Sequence, residues 1–159
     1  MKVIYILAFI SLLACSKSTH LYHTSETYDY KYIVPEGWII ATHYSTRADL
    51  SLASETSSAS INVEVDQDKE YAQNQKNVAE IVSSYTDQSV NILTKKDLKI
   101  NGKTSYKITY ELDDFPNKRF STVGIYHASK LYILSFSADK ETFNTEEKIF
   151  TEFVNTFEP

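Results

Sequence analysis

The chain has 159 residues, with 16 basic and 21 acidic side chains and a net charge of −5. One domain of about this length buries roughly 68–70% of its unfolded surface, so a single hydrophobic core suffices and nothing demands a second domain. Arg47 and Arg119 are the only arginines and no extended basic run occurs, which excludes a nucleic-acid surface, since that needs clustered cations to neutralise phosphates.

In chain order, the N-terminus comes first. Lys2 gives a positive start, Val3 to Ile10 is unbroken apolar sequence extended by Leu12 and Leu13, and the chain turns polar at Ser16. An apolar run of about 10–14 residues is too short to span a bilayer and has the length of a secretory signal. Leu12-Leu13-Ala14-Cys15 resembles the bacterial lipobox, in which the cysteine thiol receives a diacylglyceryl group and the chain is cut just before it. The sequence therefore predicts a signal peptide over residues 1–14 and a lipid-modified Cys15, followed by a Ser/Thr-rich tether as far as residue 27. The membrane is then held by acyl chains and not by charge, in the cell envelope. Ser16, not Asp, follows the cysteine. In a two-membrane host this pattern predicts the outer membrane, facing the periplasm. Cys15 is the only cysteine, and once capped it leaves no thiol for disulfides, zinc–cysteine sites or nucleophilic catalysis.

A single domain is expected over residues 28–159. Tyr28, Tyr30, Tyr32 and Val34 alternate with Asp29, Lys31 and Ile33, which is strand periodicity. Val34-Pro35-Glu36-Gly37 reads as a type I turn with Pro second and Gly fourth. Trp38 to Ala41 resumes an extended run. Leu50 and Leu52 mark a short strand in a Ser-rich stretch, and Ile61, Val63 and Val65 mark another. Tyr71, Val78, Val82 and Tyr85 recur at helical spacing, giving a helix from Asp68 to Tyr85. Val90 to Ile100 is extended, Asn101-Gly102 is a two-residue hairpin signal, and Thr104 to Leu112 alternates cleanly.

After a polar loop from Asp113 to Lys118, Phe120 to His127 and Leu131 to Ser137 read as strands about a tight turn at Ser129-Lys130. The last helix is expected from Thr145 to Phe157. Asn144 is its cap, Glu147 completes a capping box, and Phe150, Phe153, Val154 and Phe157 form its buried stripe. Short connections make an antiparallel sheet. Strands apolar on both faces, Leu131 to Phe136 above all, predict helices on both sides: an α+β fold, built as an α/β/α sandwich.

Four blocks carry a family resemblance. Tyr32 to Trp38 resembles the "aromatic, apolar, Pro, x, Gly, Trp" opening of the PsbP-like superfamily, which includes DcrB-like bacterial lipoproteins. Ile100 to Thr104 is similar to its hairpin and Leu131 to Ser137 to its apolar strand. Phe143 to Phe157 is similar to its closing helix, and together the blocks span almost the whole mature chain. The resemblance implies a PsbP-like α+β fold and a non-catalytic accessory, assembly or chaperone-like role.

The candidate chemistries are sparse. His20 and His23 are spaced for a metal but lie in the expected tether. Asp66, Asp68 and Glu70 begin like a calcium loop, but Tyr71 stands where that loop needs Gly and Asn77 where it needs Glu, so a helix start is preferred. His43 and His127 have no visible orienting partner. No serine sits in a nucleophile motif, and three glycines, Gly37, Gly102 and Gly124, build no phosphate loop. Trp38, Tyr106 and Tyr110 read as core aromatics, while Tyr44 and Tyr126 stay open as core or binding residues. No catalytic residue, metal or cofactor is expected. The expected function is non-catalytic binding of another envelope or extracellular protein, as an accessory, assembly or neutralising factor. The contact falls on the loops at residues 42–60 and 113–118, with Asp113, Asp114, Lys118 and Arg119 steering the partner. A small-ligand or metal-binding lipoprotein is the alternative, and a hydrolase with an unrecognised site the third reading.

Overall fold

The structure is a computed structural model that describes residues 22–41, 47–67 and 90–159. The expected signal peptide, Cys15, His20, His43, Tyr44 and the helix expected from Asp68 to Tyr85 lie outside the described residues. Nine strands are described: β1 (Tyr22–Thr24), β2 (Lys31–Ile33), β3 (Trp38–Ile40), β4 (Leu50–Ser54), β5 (Ser60–Asp66), β6 (Val90–Ile100), β7 (Lys103–Leu112), β8 (Lys118–His127) and β9 (Lys130–Asp139). One helix among the described residues, α1 (Phe143–Thr156), follows them.

Strands β3 to β9 form a seven-stranded sheet in the order β3-β4-β5-β9-β8-β7-β6, and every pairing is antiparallel. Strands β6 to β9 are a simple meander. The expected α+β class follows from this sheet and its helix.

The helix crosses one face of the sheet, over β8 and β9, and also packs on β2. Alternation along each strand decides what meets it. Ile61 and Val63 of β5, Tyr132, Leu134 and Phe136 of β9, and Val123 and Ile125 of β8 are buried in one core with Phe143, Phe150, Phe153, Val154 and Phe157. Phe136 stacks on Phe150 at 5.2 Å and Tyr30 lies 4.9 Å from Phe157, ring centre to ring centre. Each such side chain contributes roughly 1.5–3 kcal/mol by leaving water. The other face carries Ile108, Tyr110 and Leu112 in one buried group and Leu131 and Ile133 in another. Trp38 is 6% exposed at the outer strand β3, within the helix-side core.

Five local expectations are corrected. The first turn spans Pro35 to Trp38, closed by Trp38 N–H donating to Pro35 O at 3.1 Å. Gly37, at φ +75°, is therefore its third residue, as a type II turn requires. The second hairpin turns on Ala128 and Ser129, at φ 49° and 63°, one residue before the expected pair. Helix α1 begins at Phe143 with Thr142 before it, and no side chain caps it. Burial of Phe143 against Phe136 at 5.4 Å starts the helix earlier, and Glu147 pairs with Lys107 at 3.0 Å. The strand expected from Tyr28 shortens to Lys31–Ile33, because Asp29 takes φ +58°. Finally, β1 lies inside the stretch expected to be a tether. It pairs with β2, and His23 stacks on Tyr32 at 5.4 Å, so the described fold begins at Tyr22 and not at Tyr28.

Candidate functional site

The turn between β7 and β8 is the best-defined protrusion on this scaffold. Phe115 N–H donates to Leu112 O at 3.1 Å and Lys118 N–H to Phe115 O at 2.9 Å, which folds residues 112–118 into two successive turns. Lys140 N–H donates to Asn117 O at 2.9 Å and ties the turn to the approach of α1.

Both flanks of the turn are clamped by charge. Lys118 Nζ sits 3.1 Å from Asp139 Oδ1 and donates to Ser58 Oγ at 2.6 Å, while Ser58 Oγ donates to Asp139 Oδ2 at 2.7 Å. Arg119 donates from Nε and Nη2 to Glu111 Oε1 at 3.1 and 2.9 Å, and Lys140 Nζ reaches Glu111 Oε2 at 2.8 Å. The guanidinium also lies 5.4 Å over the Phe143 ring. Hydrogen bonds from Lys140 and then Arg119 hold the Glu111 carboxyl below the usual range. Hydrogen bonds from Ser58 and then Lys118 do the same for Asp139.

The four residues expected to steer a partner thus divide. Asp113 and Asp114 are exposed in the turn, whereas Lys118 and Arg119 lie within β8 and fasten its base. Sequence reasoning passed over Phe115, which is 50% exposed at the tip. Its ring stands edge-on to Phe120 at 6.0 Å, and Phe120 stacks on Tyr110 at 5.3 Å. The signal was present: a bulky aromatic between Asp114 and Pro116 in an otherwise polar turn.

A second polar feature runs across the sheet face opposite α1. Tyr110 Oη and Thr122 Oγ1 are 3.5 Å apart, Thr122 and Ser135 3.3 Å, and Ser60 and Ser137 3.0 Å, while Ser51 donates to Asn62 at 2.7 Å. Glu64 lies on the same face, its carboxyl pushed up by burial and partly brought back by Arg47. These hydroxyls satisfy one another, as half-buried polar groups must. His23 is taken up by Tyr32, and His127 is exposed at the end of β8. Asp66 ends β5, and its expected partners Asp68 and Glu70 lie outside the described residues. Among the described residues, no three His, Cys, Asp or Glu gather to hold a metal ion. Among them, too, no helix is long and apolar enough to cross a membrane.

An antiparallel sheet with its C-terminal helix laid across one face, and a clamped turn at the sheet's end, define a non-local α+β scaffold of the PsbP type. The chain belongs to the PsbP family, whose model matches residues 19–159. No curated protein matches it. Among solved structures it is similar to the cyanobacterial PsbP (CyanoP) of Synechocystis sp. PCC 6803, with a TM-score of 0.61 and 14% identity over 86% of this chain and 90% of that one. It is also similar to the Saccharomyces cerevisiae Ran-binding protein Mog1p (TM-score 0.54, 12% identity, 87% and 95% covered). LpqN of Mycobacterium tuberculosis, described as involved in cell envelope biogenesis, gives a TM-score of 0.57 at 10% identity over 82% and 84%. At these identities the likeness is one of fold.

Proposed function

We propose that this protein is a lipid-anchored envelope protein that acts by binding another envelope or extracellular protein, without catalysis, through the turn at residues 113–117. One observation carries the reading: Phe115 is half exposed at the tip of a turn whose two flanks are fixed by the Lys118–Asp139 and Arg119–Glu111–Lys140 clamps. A large ring held in place in advance loses little conformational freedom on binding, and such aromatics dominate interfaces. Asp113 and Asp114 beside it supply charge that orients an approaching cationic surface. A family fold whose members include a Ran-binding protein and an envelope-biogenesis protein supports a binding role. Cys15, behind its lipobox-like segment, supplies the anchor.

The test places a photo-crosslinking residue at exposed Glu141, next to Lys140 whose amide holds the turn, and in that background compares Phe115→Ala and a Gly/Ser replacement of residues 113–117 with His23→Ala and His127→Ala in the native host. Loss of one reproducible crosslinked partner in the first two, with the histidine variants normal, is the expected result. A single histidine variant that abolishes activity while folded and anchored overturns the binding reading. The anchor is tested apart from it: Cys15→Ala should give an uncleaved precursor or a released soluble form, and a Cys15→Ala protein that fractionates and migrates like the parent removes the lipoprotein reading.

A further inference from the structure

At the Asn101–Gly102 end of β7, away from the 113–117 turn, a groove lies between the flank of α1 and the outermost strand of the sheet. Among the described residues β6 pairs with β7 alone, so one edge of its backbone has no strand beside it. The irregularity between Ile92 and Thr94 breaks the strand, leaving Thr94–Ile100 as the regular run. Helix α1 packs chiefly on β2, β8 and β9. Between the helix and β6 opens a cleft of about 140 Å³, lined by Leu98, Ile100, Lys107, Val123, Phe150 and Val154. That is close to the ~150 Å³ that accepts a benzene-sized group.

The charge of this edge is opposite to that of the chain. Lys95, Lys96 and Lys99 are exposed, with Asp97 the only acid on the strand, in a protein of net charge −5. Lys107 is already neutralised by Glu147 at 3.0 Å. We infer that the β6 edge and its cleft dock an extended acidic segment of a partner polypeptide, which adds to the sheet as a further strand. Backbone hydrogen bonds hold the segment, and every second side chain faces the helix side, where one apolar side chain enters the cleft beside Leu98 and Phe150. Acidic side chains on the opposite face meet Lys95 and Lys99, while Lys96, on the helix side with Leu98 and Ile100, adds positive charge at the rim of the cleft. A second copy of this chain is a poor occupant, because β6 against β6 sets lysines against lysines across the new pair. This surface stands whether or not the 113–117 turn binds.

The experiment uses the full chain in detergent micelles and two blocked heptapeptides, Glu-Leu-Glu-Val-Glu-Leu-Glu and its Lys-for-Glu counterpart. Amide hydrogen exchange is followed along β6 while affinity is measured. The acidic peptide is expected to slow exchange within residues 94–100 at least tenfold at saturation and to bind at least tenfold tighter than the basic one. Combined Lys95→Glu, Lys96→Glu and Lys99→Glu is expected to reverse that preference. Asn155→Trp, which fills the cleft from the exposed flank of α1, weakens the acidic peptide about tenfold and tests the site should the charge variant misfold. Equal affinity for both peptides, protection elsewhere, or no binding by either overturns the inference; in the last case the lysines only guard the edge against aggregation. Protection of β6 that grows with protein concentration in the absence of peptide overturns it in favour of self-association.

Discussion

The phenol of Tyr30, fully buried, donates its hydrogen to Asp49 Oδ2 at 2.6 Å. Ser25 Oγ donates to the same oxygen at 2.8 Å and accepts from the amides of Thr27 and Tyr28. One carboxylate next to β4 thus fixes the turn of the β1–β2 hairpin, and Lys31 closes the other side by two backbone bonds with Glu158. Burial, then the bond to Asp49, pushes the Tyr30 hydroxyl well above the usual tyrosine range. Tyr30→Phe keeps the ring on Phe157 and removes one bond to a charged group. It should cost about 1.5–3 kcal/mol, read from urea unfolding midpoints; an unchanged midpoint means that the bond adds nothing.

The clamps around the 113–117 turn give the fold an acid sensitivity. A carboxyl whose folded pKa lies below its unfolded value stabilises the fold above the unfolded value and loses that contribution as pH falls through the folded one. Glu111 and Asp139 both have lowered values. Their contribution is therefore complete above the ordinary Glu and Asp values of about 4.3 and 3.9 and declines below them. Asp139 is half exposed and Glu111 partly exposed, so the effect is modest and salt-screened. Unfolding midpoints measured from pH 7 to pH 3 should fall less steeply in Glu111→Gln than in the parent protein. Parallel curves would show that the clamp does not titrate with folding.

Phe115→Ala separates binding from stability. Half exposed, the ring contributes little to the core beyond its edge contact with Phe120. Unfolding free energy should move by less than about 1 kcal/mol, within the usual range for surface changes. Affinity for the crosslinked partner should fall by roughly 2 kcal/mol or more, about thirtyfold. A full loss of stability with affinity intact would make Phe115 a structural residue.

Much of the fold was legible because its signals are local. Asn101 and Gly102 both adopt positive φ, 51° and 78°, and both residue types announce it. Ala128 and Ser129 do the same without any such signature, so that turn was misplaced by one residue. The spacing of Asn144 and Glu147 fits a capping box, yet Glu147 is drawn to Lys107 on another strand, which no local reading anticipates. Polar β1 is ordered by Tyr32 and Asp49, its partners elsewhere in the chain. The candidate site follows the same division. Its position was visible as a polar loop, but the engagement of Lys118 with Ser58 depends on residues 60 positions apart.

The strained hairpin at Ala128–Ser129 offers a gain. Non-glycine residues at positive φ carry a conformational cost that Asn-Gly avoids. Replacing Ala128-Ser129 by Asn-Gly should raise stability by about 0.5–1 kcal/mol, seen as a higher urea midpoint with unchanged slope. A lower midpoint would show that the native pair makes contacts worth more than its strain.

The strand order also sets a timetable for folding. β6 to β9 join by short turns, but β5 enters the sheet beside β9, pairing Ser60 with Ser137 across 77 positions. Closing so long a loop spends chain entropy before any contact is made, so the meander should assemble first and serve as the template on which β5, β4 and β3 are laid. Ile125→Val, inside the meander, should then slow refolding, with a φ-value of roughly 0.5–0.8, while Val63→Ala in β5 should chiefly hasten unfolding, with a φ-value near 0–0.3. Stopped-flow refolding and unfolding of the two variants measures this directly, and the reverse ranking would place the nucleus at the β5–β9 seam.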